Sequence, residues 1–255
     1  FAINMFKLTS EDFSEENVCI SPYSLFVAMS MIANIEDAET SQYLLDILTN
    51  GESSLSELNE YNQLMLRYLP KVDAKTTCSI ANSLWYDPAY KPQASFVKSI
   101  EDYYEGALFA QNPGNEDGRL KINSWVNEKT YGMIPEFLKN PTGYNMALIN
   151  AAYFKSTWVR PFDPNKTTSE NFENINKSIS TARMMHDEGS YGYSYNEDFQ
   201  LLEIGYGNRN YYMSILIPAN DQNLNEMIQS IDNNVFKNLH NQTMPYDVTL
   251  SMPVF

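Results

Sequence analysis

The sequence has few of the residues on which most catalytic and metal sites depend. Its 255 residues include only two histidines, His186 and His240, and two cysteines, Cys19 and Cys78. Two cysteines are too few for a disulfide-dense scaffold, and their spacing is not typical of a zinc site. Neither a Gly-x-Ser-x-Gly elbow nor a phosphate-binding glycine loop occurs. We therefore do not expect an enzyme, a cofactor or a bound metal.

Basic residues and long apolar runs are also scarce. The chain has 17 Lys and Arg against 32 Asp and Glu, for a net charge of -15. Because phosphate binding depends on clustered basic side chains, nucleic acid is not an expected partner. No uninterrupted apolar run approaches the roughly 20 residues that cross a bilayer. Residues 1–8 have the pattern of an amphipathic helix and not of an export signal.

Three Asn-x-Ser/Thr triplets begin at Asn165, Asn176 and Asn241. Such triplets are glycosylation acceptors in proteins that pass through a glycosylating compartment. Together with the low lysine content and 18 tyrosines, they favour an extracellular, cell-surface or periplasmic location.

Hydrophobic periodicity predicts one α+β domain in which helices precede most strands. Hydrophobic residues make up 43% of the chain, enough for a sizeable core. No internal repeat or linker-like boundary interrupts it. The predicted helices are 1–8, 24–33, 40–48, 54–69, 93–104, 116–130, 224–231 and 234–240, and the predicted strands are 76–86, 107–110, 146–154, 190–195, 199–205, 211–217 and 246–252.

The segment 146–154 is the strongest strand candidate. It contains no charged residue over nine positions. Strands that are covered on both faces have such continuous uncharged runs. We therefore expect it to lie in the middle of a sheet.

Five blocks of the chain resemble segments of the serpin family, in the family's order and with similar spacing. They are NVCISPYSL at 17–25, INSWVNEKTYGMI at 122–134, INAAYFKSTWVRPFD at 149–163, RMMHDEG at 183–189 and YMSILIP at 212–218. The resemblance extends over nearly the whole chain.

This resemblance implies the serpin fold, in which helices pack around a large mixed sheet A with smaller sheets B and C. It also implies one serpin domain over residues 1–255 that is truncated at both ends. The chain is expected to start within helix A and to stop before helix I and the reactive-centre loop, because 249–255 resembles the strand that precedes helix I. The scissile bond would then lie after Phe255.

The function that the resemblance implies is inhibition of a serine or cysteine protease as a suicide substrate. In inhibitory serpins the cleaved reactive loop inserts into sheet A as a new strand. We expect a monomer that carries a risk of loop–sheet polymerisation. Heparin-type activation is not expected, because 54–69 contains Glu57 and Glu60 against the single basic residue Arg67.

Four residues match family positions that control opening of the sheet. Ser21, Ser24 and Asn150 match the shutter, where the asparagine hydrogen-bonds with the hydroxyl residues. Trp158 matches the breach, where insertion begins. Without the resemblance, Ser21 is a plain helix cap, Asn150 a satisfied core amide and Trp158 an anchoring aromatic side chain.

Three other functions remain open at this point. A non-inhibitory serpin would act as a carrier, chaperone or storage protein. An aromatic-rich glycan-binding module is suggested by 18 Tyr and 3 Trp. A hydrolase comes last, because His186 and His240 are the only histidines that could serve as its base.

Overall fold

The computed structural model describes residues 1–13, 16–174, 176–219 and 223–255. The helices are α1 Ala2–Asp12, α2 Pro22–Ile32, α3 Ala38–Thr49, α4 Leu55–Tyr68, α5 Ala94–Tyr104, α6 Glu116–Lys129, α7 Leu224–Ser230 and α8 Asn233–Asn241. The strands are β1 Thr77–Tyr86, β2 Ala107–Phe109, β3 Met146–Lys155, β4 Thr168–Glu173, β5 Ile179–Tyr195, β6 Phe199–Tyr206, β7 Tyr211–Pro218 and β8 Met244–Pro253. This element order confirms the α+β class.

The chain divides into two compact units. Unit 1 comprises Phe1–Ala2 and Ile20–Lys155, and unit 2 comprises Ile3–Cys19 and Ser156–Phe255. Each unit has a sheet of its own. The single domain expected from the sequence stays a prediction.

Unit 1 is built on a three-stranded mixed sheet in the order β2-β1-β3. β1 pairs with β2 in parallel and with β3 in antiparallel over its whole length, from Thr77 opposite Lys155 to Tyr86 opposite Met146. The central strand is therefore β1, whose Leu84 and Trp85 are almost completely buried.

Helices cover both faces of this sheet. On one face, α6 packs Ile122, Trp125 and Val126 against Ile149 and Ala151 of β3. On the other face, residues of α2, α4 and α5 form a cluster with Leu84 and Leu148. Since alternate residues of a strand point to opposite faces, one strand serves both clusters.

The structure corrects the predicted position of the uncharged strand. Among the described residues, β3 pairs only with β1 and therefore lies at an edge of the three-stranded sheet. Its middle is covered, with Ile149 and Ala151 buried, but Ala152, Phe154 and Lys155 are exposed. The helices on both faces account for the lack of charge in the buried middle of the strand.

Unit 2 contains a five-stranded antiparallel sheet in the order β4-β5-β6-β7, with β8 paired to β5. The 17-residue β5 holds it together, because it pairs with β4, β8 and β6 along successive parts of its length. One face carries a cluster of Tyr191, Ile204, Leu250 and Met252. On the other face, α7 and α8 contribute to a second cluster.

β5 begins 11 residues before the predicted strand at 190–195. The first part of β5 was not predicted because it contains Asp187 and Glu188, and acidic residues are depleted in strands. In the structure, Arg160 forms an ion pair with Asp187 at 2.5 Å. Its guanidinium lies against Gly189, where an added Cβ would be only 1.7 Å from Nη1. A side chain at this position would therefore displace the guanidinium from its place over the strand.

Candidate functional site

Ser21 and Ser24 lie together at the start of α2, as the shutter assignment requires. Ser21 is the N-cap residue and Pro22 occupies the first turn, which favours the start of a helix. The Ser21 side chain makes no capping bond to the backbone, but its Oγ is 2.8 Å from Ser24 Oγ. The two hydroxyl groups therefore form a hydrogen-bonded pair, and Ser21 is not a conventional side-chain cap.

Asn150 makes a different contact from the predicted one. Its Nδ2 donates to Asn82 Oδ1 on β1 at 2.7 Å, and no hydrogen bond joins it to Ser21 or Ser24 in the described part of the chain. Asn82 and Asn150 are register partners in the antiparallel pair. Side chains that lie directly opposite are near neighbours, so Asn82 binds the amide that was expected to reach the serines.

Asn82 continues the hydrogen-bond chain into the helical layer. Its Nδ2 donates to the backbone oxygen of Tyr104 at 2.9 Å, and the side chain is almost completely buried. Tyr104 lies at the end of α5 and donates through its hydroxyl group to Asn59 Oδ1 at 2.6 Å. Polar groups thus connect β3, β1, α5 and α4. Sequence reasoning missed Asn82, although an asparagine within the predicted strand 76–86 was a visible signal.

Three buried polar atoms of unit 1 have no hydrogen-bond partner among the described residues. They are Asn150 Oδ1, Asn62 Oδ1 and the hydroxyl oxygen of Tyr23. Burial raises the pKa of Tyr23, and the neighbouring Tyr61 raises it further. An unsatisfied buried polar group typically costs about 1–3 kcal/mol. β3 therefore carries a hydrogen-bond acceptor, Asn150 Oδ1, that no described residue uses.

The outer edge of β3 is the second feature of this site. β3 is ten residues long, and β1 occupies one of its sides. The other side has no paired strand within the described residues. An edge of this kind presents a row of backbone N–H and C=O groups that can pair with another strand. The only charged residue in β3 is the terminal Lys155, so most of its length carries no charge that would oppose such pairing.

Trp158 lies in unit 2 and not in unit 1 with the other three predicted residues. Its ring stacks on Tyr206 with centroids 4.3 Å apart, and Phe162 meets it edge-on at 6.1 Å. Backbone bonds from Val159 N to Gly205 O and from Gly207 N to Thr157 O tie this segment to the end of β6. These contacts give Trp158 an anchoring role, and its breach role stays a prediction.

His186 lies in a hydrogen-bonded row that the sequence did not reveal. Its Nε2 is 2.8 Å from Glu170 Oε1 on β4, and its Nδ1 is 2.8 Å from Ser251 Oγ on β8. A serine, a histidine and a carboxylate in this order resemble an activated nucleophile. However, backbone N–H groups of a sheet point toward neighbouring strands and do not converge on a side chain above the sheet. The row therefore joins three strands of the sheet, β4, β5 and β8.

Over the described ranges, no three His, Cys, Asp or Glu side chains come together as a possible metal site. In the same part of the chain, no helix has the length and apolar character needed to span a membrane.

Comparison with known proteins identifies the family. The family model described as Serpin (serine protease inhibitor) matches residues 1–255. The chain belongs to the serpin family. It is 28% identical over 267 residues to leukocyte elastase inhibitor from Xenopus laevis and 29% identical over 268 residues to the human protein of that name. Each match covers 100% of this chain and 70% of the relative, so this serpin sequence spans about seven tenths of their length.

A solved structure shows the same fold. The crystal structure of reactive-loop-cleaved human thyroxine-binding globulin superimposes with a TM-score of 0.91 at 21% identity. The match covers 100% of this chain and 76% of that one. The predicted serpin fold is thereby confirmed, and the mixed sheet of unit 1 contributes three strands to it.

Proposed function

We propose that this serpin inhibits a serine protease by accepting a cleaved loop as a new strand beside β3. The matching family model is described as serine protease inhibitor, and two of the matched relatives are named leukocyte elastase inhibitor. Such an inhibitor is consumed as it acts and is not a catalyst.

The observation that carries the proposal is the open edge of β3. Insertion requires a strand with backbone groups on one side that can hydrogen-bond to an incoming strand. Both faces of that strand must already be packed against helices. β3 meets both requirements, because α6 and α2 contact it and, among the described residues, β1 is the only strand that pairs with it. We expected a central strand that must be separated from a neighbour, and among the described residues no strand pairs with the receiving side.

We further propose that Asn82, Asn150, Ser21 and Ser24 form the shutter that sets the position of β3. The pair Asn82 and Asn150 links the receiving strand to β1, and the serine pair marks the start of the helix beneath. The unpartnered Asn150 Oδ1 is available to a polar group of the incoming strand. Trp158 is the proposed breach residue.

The test is formation of a covalent complex by the product of the whole gene. Incubation with neutrophil elastase, chymotrypsin, trypsin and a papain-type protease should give a band at the summed mass that survives boiling in detergent. Cleavage without such a band across this panel would overturn the proposal. A complex with the papain-type enzyme alone would correct the protease class.

A thermal melt after cleavage separates inhibition from a carrier or storage role. Insertion adds a ladder and buried side chains, so a cleaved inhibitor should melt at a much higher temperature than the intact protein. An unchanged melting temperature would favour the non-inhibitory function.

We also propose an extracellular, cell-surface or periplasmic location. The acceptor residues Asn165, Asn176 and Asn241 are all exposed, as glycosylation requires. Fractionation of the source cells with an antibody tests this location, and a signal confined to the cytoplasmic fraction would contradict it.

A further inference from the structure

The turn that ends α3 contains a dipeptide with a chemistry of its own. Asn50-Gly51 is the only Asn-Gly pair in the 255-residue sequence. The backbone nitrogen that follows an asparagine can attack its side-chain amide carbon, and glycine hinders this attack least because it has no Cβ. Asparagine counts among the thermolabile residues of proteins. The pair is therefore a candidate for spontaneous deamidation, a reaction between adjacent residues that requires no second surface.

The groups that would react have no competing hydrogen bonds. Asn50 and Gly51 are both exposed. Neither the Asn50 side chain nor the Gly51 N–H has a hydrogen-bond partner among the described residues. A bonded amide has to be released before it can react, and no such release precedes the reaction at this pair.

The backbone of this turn has little that opposes the rotation the reaction needs. Asn50 has φ 56° and ψ 28°, in the left-handed region, and Gly51 has φ 73°. At this ψ the Gly51 nitrogen points away from the Asn50 side chain, so ring closure requires rotation about the Cα–C bond of Asn50. Within the described structure, the backbone hydrogen bond across the turn is the one from Glu52 N to Thr49 O at 3.2 Å. Rotation therefore breaks one exposed hydrogen bond, and glycine follows it without steric cost.

Two other asparagines precede a small serine, in the pairs Asn82-Ser83 and Asn123-Ser124, and both differ from Asn50. Their side chains are buried. Asn82 donates to the Tyr104 backbone oxygen, and Asn123 Oδ1 accepts from the Leu138 N–H. Either amide can react only after local opening of the fold, and the free energy of opening adds to the barrier. These two asparagines are therefore internal comparisons for Asn50.

We propose that Asn50 is a deamidation site at which the turn after α3 is converted to isoaspartate. The Gly51 nitrogen loses its proton to a base in the solvent and forms a bond to Asn50 Cγ. The bond from Cγ to Nδ2 then breaks, and Nδ2 leaves as ammonia after it takes up a proton from the solvent. Water opens the resulting cyclic imide at either carbonyl carbon. One opening gives aspartate, and the other gives isoaspartate, in which the main chain runs through the former side chain. The net reaction consumes water, releases ammonia and involves no oxidation.

The product places a negative charge where the turn does not compensate it. Asn50 directly follows the last residue of α3, and the C-terminal end of a helix disfavours anions. α3 has no basic residue in its last turn. Asp46 is close by, since its Oδ1 would be 3.9 Å from a Cβ added to Gly51, and Glu52 follows in the sequence. Deamidation should therefore destabilise the end of α3.

The first experiment incubates the protein in mildly alkaline buffer, which favours loss of the Gly51 amide proton, and maps its peptides by mass spectrometry. We expect conversion at position 50 to be at least about tenfold faster than at Asn82 or Asn123, because even a modest free energy of local opening slows a reaction by this factor. Methylation by an isoaspartyl methyltransferase should identify isoaspartate at position 50. Equal rates at these positions, or aspartate without isoaspartate at position 50, would overturn the proposal.

The second experiment assigns the isoaspartate with matched variants. Asn50→Gln keeps an uncharged amide, but its longer side chain disfavours ring closure, so the isoaspartate signal of the intact protein should be lost. Asn241→Gln makes the same change at another exposed asparagine and should leave the signal unchanged. Thermal melts confirm that both variants fold, and an undiminished signal in Asn50→Gln would place the reaction elsewhere.

The third experiment measures the effect of the product charge with Asn50→Asp. This variant should melt at a lower temperature than the wild type at low salt. The difference should shrink at high ionic strength, because salt screens the repulsion between exposed charges. Equal melting temperatures at low salt would contradict the effect of deamidation on α3.

Discussion

Asn82 and Asn150 face each other across β1 and β3, and Asn150 Nδ2 donates to Asn82 Oδ1 over 2.7 Å. The same Asn82 donates to the Tyr104 backbone oxygen. The strand with the open edge is thus connected by side chains to the central strand and to the helical layer behind it. The position of β3 therefore depends on two amides as well as on the ladder.

Asn82→Ala should destabilise unit 1 by about 1–3 kcal/mol, because it leaves the Asn150 amide and the Tyr104 carbonyl without their partner. Urea unfolding of the wild type, both single variants and the double variant Asn82→Ala/Asn150→Ala measures the coupling. We expect a coupling of about 0.5–3 kcal/mol. The exposed Asn241→Ala is the control, and strictly additive effects would show that the amides act independently.

A charge on the exposed part of β3 should impair strand addition with little effect on stability. We expect Ala152→Lys to change the free energy of unfolding by less than about 0.5 kcal/mol. It should nevertheless reduce the yield of detergent-resistant protease complex, because lysine on an edge strand discourages pairing. Leu64→Lys on α4 is the matched control, and equal yields from both variants would contradict a role for this edge.

The ion pair of Arg160 and Asp187 should make unit 2 sensitive to acid. The hydrogen bond from Arg160 holds the pKa of the Asp187 carboxyl below its ordinary value of 3.8. A carboxyl group whose pKa is lower in the folded than in the unfolded state stabilises the fold at pH values above its unfolded-state pKa. This stabilisation is lost as the pH falls through the folded-state pKa. Below pH 3.8, the wild type should therefore lose stability faster than Asp187→Asn. Parallel denaturation curves between pH 5 and about 2 would show that the pair contributes nothing.

The contribution of Tyr191 to the free energy of unfolding should decrease at alkaline pH. Burial and the neighbouring Asp187 raise its pKa from 10.0 to about 12. Because the unfolded state loses this proton first, stability should fall as pH rises from 10 toward 12. Absorbance at 295 nm follows tyrosinate formation, and Tyr191→Phe should remove one late-titrating group. Burial also raises the pKa of Tyr23 and Tyr104, so the test is the number of late-titrating groups, and an equal number in the variant and the wild type would contradict the assignment to Tyr191.

Trp158→Ala should destabilise unit 2 by about 1–3 kcal/mol, because it removes a half-buried ring and its stack on Tyr206. Circular dichroism during urea unfolding measures the change. Trp158→Phe keeps an aromatic face and should recover part of the loss. No difference between Ala and Phe would mean that the stack is energetically unimportant.

The sequence predicted where most elements lie, because apolar spacing and turn residues are local properties. β1 and β3 begin and end within one residue of the predicted strands. Strand neighbours are not local, which is why β3 was placed in the middle of a sheet and its link to Asn82 was missed. The start of β5 was missed for a related reason, since Asp187 is stabilised there by Arg160, 27 residues earlier.

The positions of the indole rings give each unit its own fluorescence signal. Trp85 and Trp125 both belong to one cluster in unit 1, whereas Trp158 is the only tryptophan of unit 2. Emission from Trp158→Phe protein reports on unit 1 alone, and the difference from the wild type reports on unit 2. Comparing the two signals along a denaturant gradient reveals whether the halves of the chain melt in one step or in two.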